Sequence, residues 1–176
     1  GVVEAQRRLN IVWNVHKFAD QYMSIDDVDP TSLSVDDVEL EVIDQWILSR
    51  MESVTATMTE AMEGYNSHEA LTAVIDFLTE DFSRFYIQTI RSRVWEETES
   101  PTKQAAYATM ARVLTQCARL LAPFTPCIAE AIYQELDGST ETVHMLSWPE
   151  SDGQLRDAEL EAQMETLREV EEAGAN

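Results

Sequence analysis

The sequence of residues 40–65 is L-E-V-I-D-Q-W-I-L-S-R-M-E-S-V-T-A-T-M-T-E-A-M-E-G-Y. Its apolar side chains recur at steps of three and four residues, the spacing that places them on one face of an α-helix. The members of this stripe are Leu40, Ile43, Ile47, Met51, Val54, Met58, Ala61 and Tyr65. Gly64, followed by Asn66 and Ser67, is typical of a helix end. The stretch therefore predicts one long amphipathic helix.

The same period continues on both sides of this helix. It predicts further helices over residues 5–23, 67–95, 101–121 and 126–136, and a last one over 155–170. The connections are short, so we expect an all-α protein built as an antiparallel bundle of four to six helices. Residues 142–148 alternate enough to predict a short extended segment. We expect a helical domain over 1–150, and over 151–176 the start of a C-terminal helix that leads into a longer chain.

The composition excludes several classes of protein. The 33 Asp and Glu residues against 12 Lys and Arg give a net charge of -21, the opposite of the basic footprint of most nucleic-acid binders. The hydrophobic content of 44% is too high for a disordered acidic tail. Only Lys17 and Lys103 are lysines. This pattern favours a halophilic protein kept soluble in concentrated salt, with an ordinary acidic mesophilic protein as the alternative.

The acidic residues are unevenly distributed along the chain. Residues 24–81 hold fifteen acids and one arginine, and residues 130–176 hold thirteen acids and two arginines. Residues 82–95 and 100–129 hold three cations each and no acid. One interpretation is that these stretches form the interior of the bundle, from which charge is excluded. The other is that an anionic partner binds there.

The spacing of the cations favours a binding face in the first of these stretches. At 100° per residue, Arg84, Gln88, Arg91 and Trp95 fall on one stripe opposite the apolar face, whereas Arg93 falls on the core side. Arginine guanidinium groups and an indole ring suit RNA phosphates and unstacked bases. We therefore predict these four residues as RNA contacts. Further candidates outside the stripe are Lys17, Arg112 and Arg119.

No catalytic or metal-binding pattern emerges from the sequence. Glu141 and His144 form a single E-x-x-H spacing, whereas a di-iron bundle needs two such motifs and two further glutamates. A metal-dependent carboxylate enzyme is therefore the weakest of the alternatives. Cys117 and Cys127 form no C-x-x-C pair, and no apolar run has the ~20 residues that a membrane helix needs. We expect a cytoplasmic protein that makes no membrane contact.

Four ordered segments resemble a known family. They are D-Q-W-I-L-S-R-M at 44–51, S-R-F-Y-I-Q-T-I-R-S-R-V-W at 83–95, L-L-A-P-F-T-P-C-I-A-E-A-I-Y at 120–133 and T-V-H-M-L-S-W-P at 142–149. They resemble the anticodon-binding domain of class I aminoacyl-tRNA synthetases, most of all the isoleucyl branch of archaeal and eukaryotic type. The valyl and leucyl branches stay open as alternatives. Gln45 and Gln88 stand where the family often has arginine, and Phe85 where it often has tryptophan.

The resemblance implies a helical module that contacts the anticodon stem-loop side of tRNA(Ile). It also implies neighbouring catalytic and C-terminal domains in the same chain, and a parent isoleucine–tRNA ligase that uses ATP, Mg²⁺ and Zn²⁺. Neither of the family's nucleotide-binding motifs occurs here, so we expect no catalytic residue and no cofactor in this monomeric part. The alternative is a purely structural bundle that docks neighbouring domains of a class I synthetase.

Overall fold

The computed structural model describes residues 2–174, apart from the side chains of residues 2, 5, 171 and 172. The α-helices are α1 (Val2–Ile25), α2 (Val42–Glu63), α3 (Ser67–Asp76), α4 (Ile87–Trp95), α5 (Pro101–Leu121), α6 (Pro126–Leu136) and α7 (Ala158–Gly174). Short 3₁₀ turns lie at Pro30–Ser32, Val35–Asp37 and Val143–Met145. Within residues 2–174 there is no strand, and the predicted all-α class is confirmed.

A π-helical segment, Phe77–Tyr86, joins α3 to α4 into one rod. Its hydrogen bonds span five residues, so successive side chains do not advance by the 100° assumed from the sequence. Two pairs of aromatic rings stack in the core along this segment: Phe77 and Phe82, five residues apart, with centroids 6.4 Å apart, and Phe82 and Tyr86, four residues apart, with centroids 5.5 Å apart. With α3–α4 counted as one rod, the described part of the chain has six, within the predicted four to six.

The core is organised around α5, which packs against α1, α2, α4 and α6. Fifteen of its 21 residues are buried, including Tyr107, Met110 and Leu114. All five alanines of α5 are also buried. Burial therefore accounts for the absence of acids from most of residues 100–129, which is the first of the two interpretations of that stretch.

The segment after α6 differs in part from the prediction. Gly138 ends the helix with φ at 56°, in the left-handed region that glycine adopts readily. Thr142 and Leu146 are extended, but Val143–Met145 form a 3₁₀ turn between them. The reason is local, because Glu130 on α6 accepts hydrogen bonds from Thr142 Oγ1 (2.8 Å) and from the Val143 amide (2.9 Å). Because Glu130 accepts these hydrogen bonds, the Val143 amide does not need a neighbouring strand as its partner.

Residues 148–157 then run along α2 and are held by polar groups. Trp148 Nε1 donates to Thr59 Oγ1 (2.9 Å), the Asp152 amide to Glu52 (2.7 Å), and the Asp157 amide to Ser49 Oγ (2.7 Å). Residues on both sides of position 150 therefore contact α2. The boundary expected at residue 150 stays a prediction about the longer chain.

Leu160 and Met164 of α7 pack against the core, and charged groups connect this helix to α2 and the π-helical segment. Arg50 on α2 contacts both Asp81 (3.1 Å) and Glu161 (3.0 Å), and Arg168 on α7 contacts Asp81 (2.6 Å). The Arg168 guanidinium also lies 4.8 Å from the Phe85 ring centroid. This network positions α7 beside the rod that carries the predicted binding residues.

Candidate nucleic-acid interface

Four of the predicted residues lie along one side of the α3–α4 rod. Arg84 is near the end of the π-helical segment, and Gln88, Arg91 and Trp95 follow on α4 at steps of three and four residues. Arg84 and Gln88 are exposed, Trp95 is 55% exposed and Arg91 is half-buried. Val94 of the same helix is buried. One face of α4 thus packs in the core while the other presents cationic, polar and aromatic groups.

Arg91 brings aromatic rings from two helices together. Its guanidinium carbon lies 5.4 Å from the ring centroid of Trp95 and 5.8 Å from that of Phe18 on α1. Phe18 in turn packs against Tyr22, with centroids 4.8 Å apart. The Nε atom of Arg91 is buried and has no hydrogen-bond partner among the described residues. We call Phe18, Tyr22, Arg91 and Trp95 the aromatic ledge.

Arg84 and Gln88 extend the polar face beyond the aromatic ledge. Arg84 Nη1 donates to both carboxylate oxygens of Glu80, at 2.8 and 2.6 Å, one helical turn away. Both side chains of this pair are exposed, so water and salt weaken their attraction. The Gln88 side chain makes no hydrogen bond to another described residue. Both side chains are accessible to a ligand.

Arg93, predicted to be structural, lies on the buried side of α4. Its guanidinium contacts both carboxylate oxygens of the fully buried Asp44, at 3.2 and 2.9 Å, and donates to the Thr102 carbonyl. Tyr86 Oη donates to the same carboxylate at 2.6 Å. Burial, reinforced by the adjacent Asp44 charge, raises the pKa of Tyr86 well above its ordinary value, so its hydroxyl stays protonated and donates. We call Asp44, Tyr86 and Arg93 the buried ion-pair cluster.

Lys17 points to a different neighbour. Its Nζ atom lies 2.8 Å from Glu135 Oε2 on α6 and 3.2 Å from Asp20. The hydrogen bond with Glu135 is the main cause that raises the pKa of Lys17. His16, which is fully buried, meets the same Glu135 oxygen through Nε2 at 2.6 Å. In the structure Lys17 therefore links α1 to α6.

Arg112 and Arg119 lie on α5 beneath the segment that follows α6. Arg112 Nη2 is 3.9 Å from the buried Glu52 carboxylate, and Arg119 Nη2 donates to the Ser147 carbonyl at 2.7 Å. Among the described residues, no contact joins either arginine to the aromatic ledge. The seven predicted residues therefore occupy more than one part of the bundle, and four of them share the α3–α4 rod.

A cavity of about 450 Å³ opens beside Trp95. Lys103 forms part of its wall, where its Nζ atom lies 2.5 Å from Asp26 and donates to the Glu96 carbonyl at 2.7 Å. Glu97 is exposed at its rim. The full lining is Tyr22, Ile25, Asp26, Val94, Trp95, Glu96, Glu97 and Lys103.

Sequence reasoning did not assign Phe18, Tyr22 or Lys103 to this site. Phe18 lies in the stretch 10–19, which resembles the family's opening helix, N-x-x-W-N-x-x-x-F. This motif could have identified Phe18 as a candidate. Tyr22 and Lys103 carry no comparable signal, because their place beside Trp95 depends on how α1 and α5 pack against α4.

Other functional classes receive little support from the described residues. Within them, no group of three or more His, Cys, Asp or Glu side chains is placed to hold a metal ion. None of the helices described between residues 2 and 174 is both long and apolar enough to cross a membrane. Burial raises the pKa of the Cys117 thiol far above its ordinary value, which disfavours the reactive thiolate.

Comparison with known proteins gives a consistent result. Residues 44–176 match the family model described as the anticodon-binding domain of tRNA ligase. The chain is 51% identical to an isoleucine–tRNA ligase of Haloarcula marismortui over 98% of its length, and 45% identical to one of Pyrococcus abyssi over 99%. It spans 16–17% of the length of these relatives.

A solved structure shows the same fold at low sequence identity. It is a LeuRS from Agrobacterium radiobacter K84, crystallised as a ternary LeuRS–tRNA–LeuAMS complex. The match has a TM-score of 0.60 and 20% identity, and it covers 89% of this chain and 17% of the LeuRS chain.

Proposed function

Because the chain belongs to the anticodon-binding domain family of tRNA ligases, we propose that it is the tRNA-binding module of an isoleucine–tRNA ligase. In this role it holds the anticodon stem-loop side of tRNA(Ile) while the catalytic domain of the same longer chain joins isoleucine to the tRNA. The high identity to isoleucine–tRNA ligases over nearly the whole chain supports this specificity over the valyl and leucyl branches.

The observation that carries this proposal is the aromatic ledge with its free arginine. Arg91 has no ion pair with any described residue, in a chain where acids outnumber cations 33 to 12. Its guanidinium and the exposed indole of Trp95 together offer a phosphate donor and a stacking surface, the two groups that single-stranded RNA needs. Arg84 and Gln88 continue this face along the rod.

The net charge of -21 is compatible with an RNA partner if the protein works in concentrated salt. At about 1 M salt the Debye length is ~3 Å, so repulsion between surface carboxylates and RNA phosphates is largely screened. Counterion release then also contributes little, and stacking and hydrogen bonding dominate affinity. Relatives from halophilic archaea, such as those of Haloarcula marismortui and Natronomonas pharaonis, support this setting.

The catalytic chemistry of the parent belongs to other parts of the longer chain. We propose that the parent uses ATP and Mg²⁺, with Zn²⁺ as a further metal, and acts in the cytoplasm, and that this module on its own is monomeric. Among the described residues no acid, histidine or cysteine cluster suits these metals. The contribution of this module is therefore to bind and orient tRNA.

The alternative is that the same face docks a protein domain. Ile25 is 65% exposed and lines the cavity beside Trp95, which gives the ledge an apolar edge that a neighbouring domain could cover. The two functions predict different results when Arg84 and Arg91 are replaced. If the face binds tRNA, the KM for tRNA should rise. If it docks a neighbouring domain, the contact between the domains should be lost while tRNA affinity is kept.

The test is aminoacylation kinetics of the full-length ligase in molar KCl. We expect the double variant Arg84→Ala, Arg91→Ala to raise the KM for tRNA about tenfold or more, with kcat unchanged, because stacked or bidentate contacts contribute ~1–3 kcal/mol each. Arg7→Ala, which removes an exposed arginine on α1, is the matched control and should leave KM unchanged.

Two outcomes would contradict the proposal. An unchanged KM in the double variant would exclude this face as the tRNA site. An intact tRNA KM combined with loss of contact between the catalytic domain and the bundle, detected by limited proteolysis, would favour domain docking.

A further inference from the structure

The π-helical segment Phe77–Tyr86 carries Arg84, and its shape depends on the helices packed around it. π-Helical hydrogen bonding is rare and occurs mostly as single turns. This segment spans ten residues, so contacts with its neighbours must hold it in that form. If it returned to the four-residue step of an α-helix, Arg84 would point in a different direction relative to α3.

Asp81 anchors this segment to two other helices. Its side chain is 11% exposed, and each of its carboxylate oxygens has a guanidinium partner. Arg50 Nε of α2 lies 3.1 Å from Oδ2, and Arg168 Nη1 of α7 lies 2.6 Å from Oδ1. A carboxylate this far buried needs such partners, because an unpaired buried charge is costly.

Arg168 contacts the segment at a second point, Phe85, which directly follows Arg84 in the chain. Its guanidinium carbon lies 4.8 Å from the ring centroid of Phe85 and 5.7 Å from that of Trp46 on α2. The two rings pack edge to face, with centroids 5.2 Å apart. A flat guanidinium can stack on a ring and bond a carboxylate together. Arg168 therefore holds the segment on both sides of Arg84.

The rest of α7 does not depend on this arginine for its attachment. The helix contains six glutamates and a single cation, Arg168. Leu160 and Met164 pack against the core, and Glu161 pairs with Arg50 at 3.0 Å. Loss of Arg168 should therefore free the π-helical segment while α7 stays in place.

We propose, on the basis of the tRNA-binding function above, that Arg168 is a positioning residue for Arg84. It fixes Asp81 and Phe85, and through them it keeps the π-helical segment in the shape that presents Arg84 to RNA. Arg168 acts through the segment and does not itself bind RNA. The helix α7, which lies outside the α3–α4 rod, thus contributes to tRNA affinity.

The experiment is a double-mutant cycle in the full-length ligase, measured as the KM for tRNA in molar KCl. We expect Arg168→Ala to raise this KM about threefold with kcat unchanged, because Arg84 is present but less well oriented. In an Arg84→Ala background the same change should have no further effect, since residues that act through one another are not additive. Arg156→Ala is the matched control, because this exposed arginine lies just before α7 and donates to Ser53 on α2. It should leave the KM unchanged.

Arg168→Lys tests the stacking contact with little risk to folding. Lysine keeps a positive charge for Asp81 but lacks the flat group that lies over Phe85, so it should recover part of the loss in KM. A loss of kcat at constant KM would indicate a merely structural role and would overturn the proposal.

The cycle also separates this proposal from the proposed function. An unchanged KM in Arg168→Ala, or a rise of the same size with and without Arg84, would overturn the positioning role and leave the tRNA-binding function intact. An unchanged KM in the Arg84→Ala, Arg91→Ala double variant would instead remove the proposed function.

Discussion

Arg91 and Arg93 lie two residues apart on α4, and their guanidinium groups meet opposite surroundings. Arg93 is in the buried ion-pair cluster, where its side chain is 12% exposed and contacts the carboxylate of Asp44. Arg91 is on the aromatic ledge, where it contacts the rings of Phe18 and Trp95 and has no ion pair to a described residue. An arginine whose donors are already used by a buried acid stabilises the fold, while one left without an acid is available for a ligand.

The buried arginine, Arg93, can be tested by removing its partner Asp44. This change should have the largest effect on the free energy of unfolding. Asp44→Ala leaves the mostly buried Arg93 without its carboxylate and Tyr86 without its acceptor, so we expect about 3–5 kcal/mol loss in the free energy of unfolding. Urea unfolding followed by circular dichroism measures it. Glu41→Gln is the matched control, because Glu41 contacts the same guanidinium at 3.3 Å but is half-exposed. A loss below ~1 kcal/mol for Asp44→Ala would contradict the structural role of the cluster.

His16 is a second buried side chain that contacts an acid. Its partner, Glu135, is also paired with Lys17. Burial lowers the pKa of His16, partly offset by the hydrogen bond to Glu135, and the nearby Lys17 lowers it further. Its folded-state pKa is thus below the unfolded value of ~6.5, so the unfolded chain binds the proton first. Stability should be constant above about pH 6.5 and should fall as the pH drops below it.

The measurement is the urea midpoint of unfolding between pH 7.5 and pH 5. Each unit of difference between the two pKa values corresponds to about 1.4 kcal/mol. His16→Gln should show a smaller slope over this interval, because the amide does not titrate. Equal slopes for both proteins would contradict the assignment of the pH dependence to His16.

Glu80 pairs with the exposed Arg84 on the same rod as Arg91, and its replacement should have the smallest effect on stability. Its pair with Arg84 is exposed on both sides, and such pairs contribute little, so Glu80→Gln should leave the urea midpoint nearly unchanged. The same change removes the competing carboxylate from Arg84, and we expect the tRNA KM of the full-length ligase to fall about twofold. A KM that rises would show that Arg84 needs Glu80 to hold its orientation.

Several features of the fold could be predicted from local sequence. The three- and four-residue period of residues 40–65 is present in α2, and Pro101 and Pro126 begin α5 and α6 as expected of proline at a first helical turn. The placement of Arg93 on the core side also follows from its spacing. These features depend on side chains within a few residues of each other, and so the sequence alone contains them.

Other features depend on contacts between distant residues. The 3₁₀ turn at Val143–Met145 forms where Glu130 accepts a hydrogen bond from the Val143 amide. The π-helical segment coincides with the stacking of Phe77, Phe82 and Tyr86 in the core. Arg112 and Arg119 resemble the other candidates in sequence, but in the structure they lie beside Glu52 and Ser147. Their neighbours are set by how α5 packs against the rest of the chain.

Local sequence is enough to predict the all-α class, the approximate helix positions, the family and the stripe from Arg84 to Trp95, because helical periodicity and short motifs are properties of neighbouring residues. Which arginine of α4 is paired with an acid, and which has no ion pair to a described residue, depends on the packing of the helices. The tertiary structure also showed that Phe18 and Tyr22 lie beside Arg91 and Trp95. The physical reason is that an ion pair such as that of Arg93 with Asp44 joins residues far apart in the chain, and only the packing of helices brings them within bonding distance.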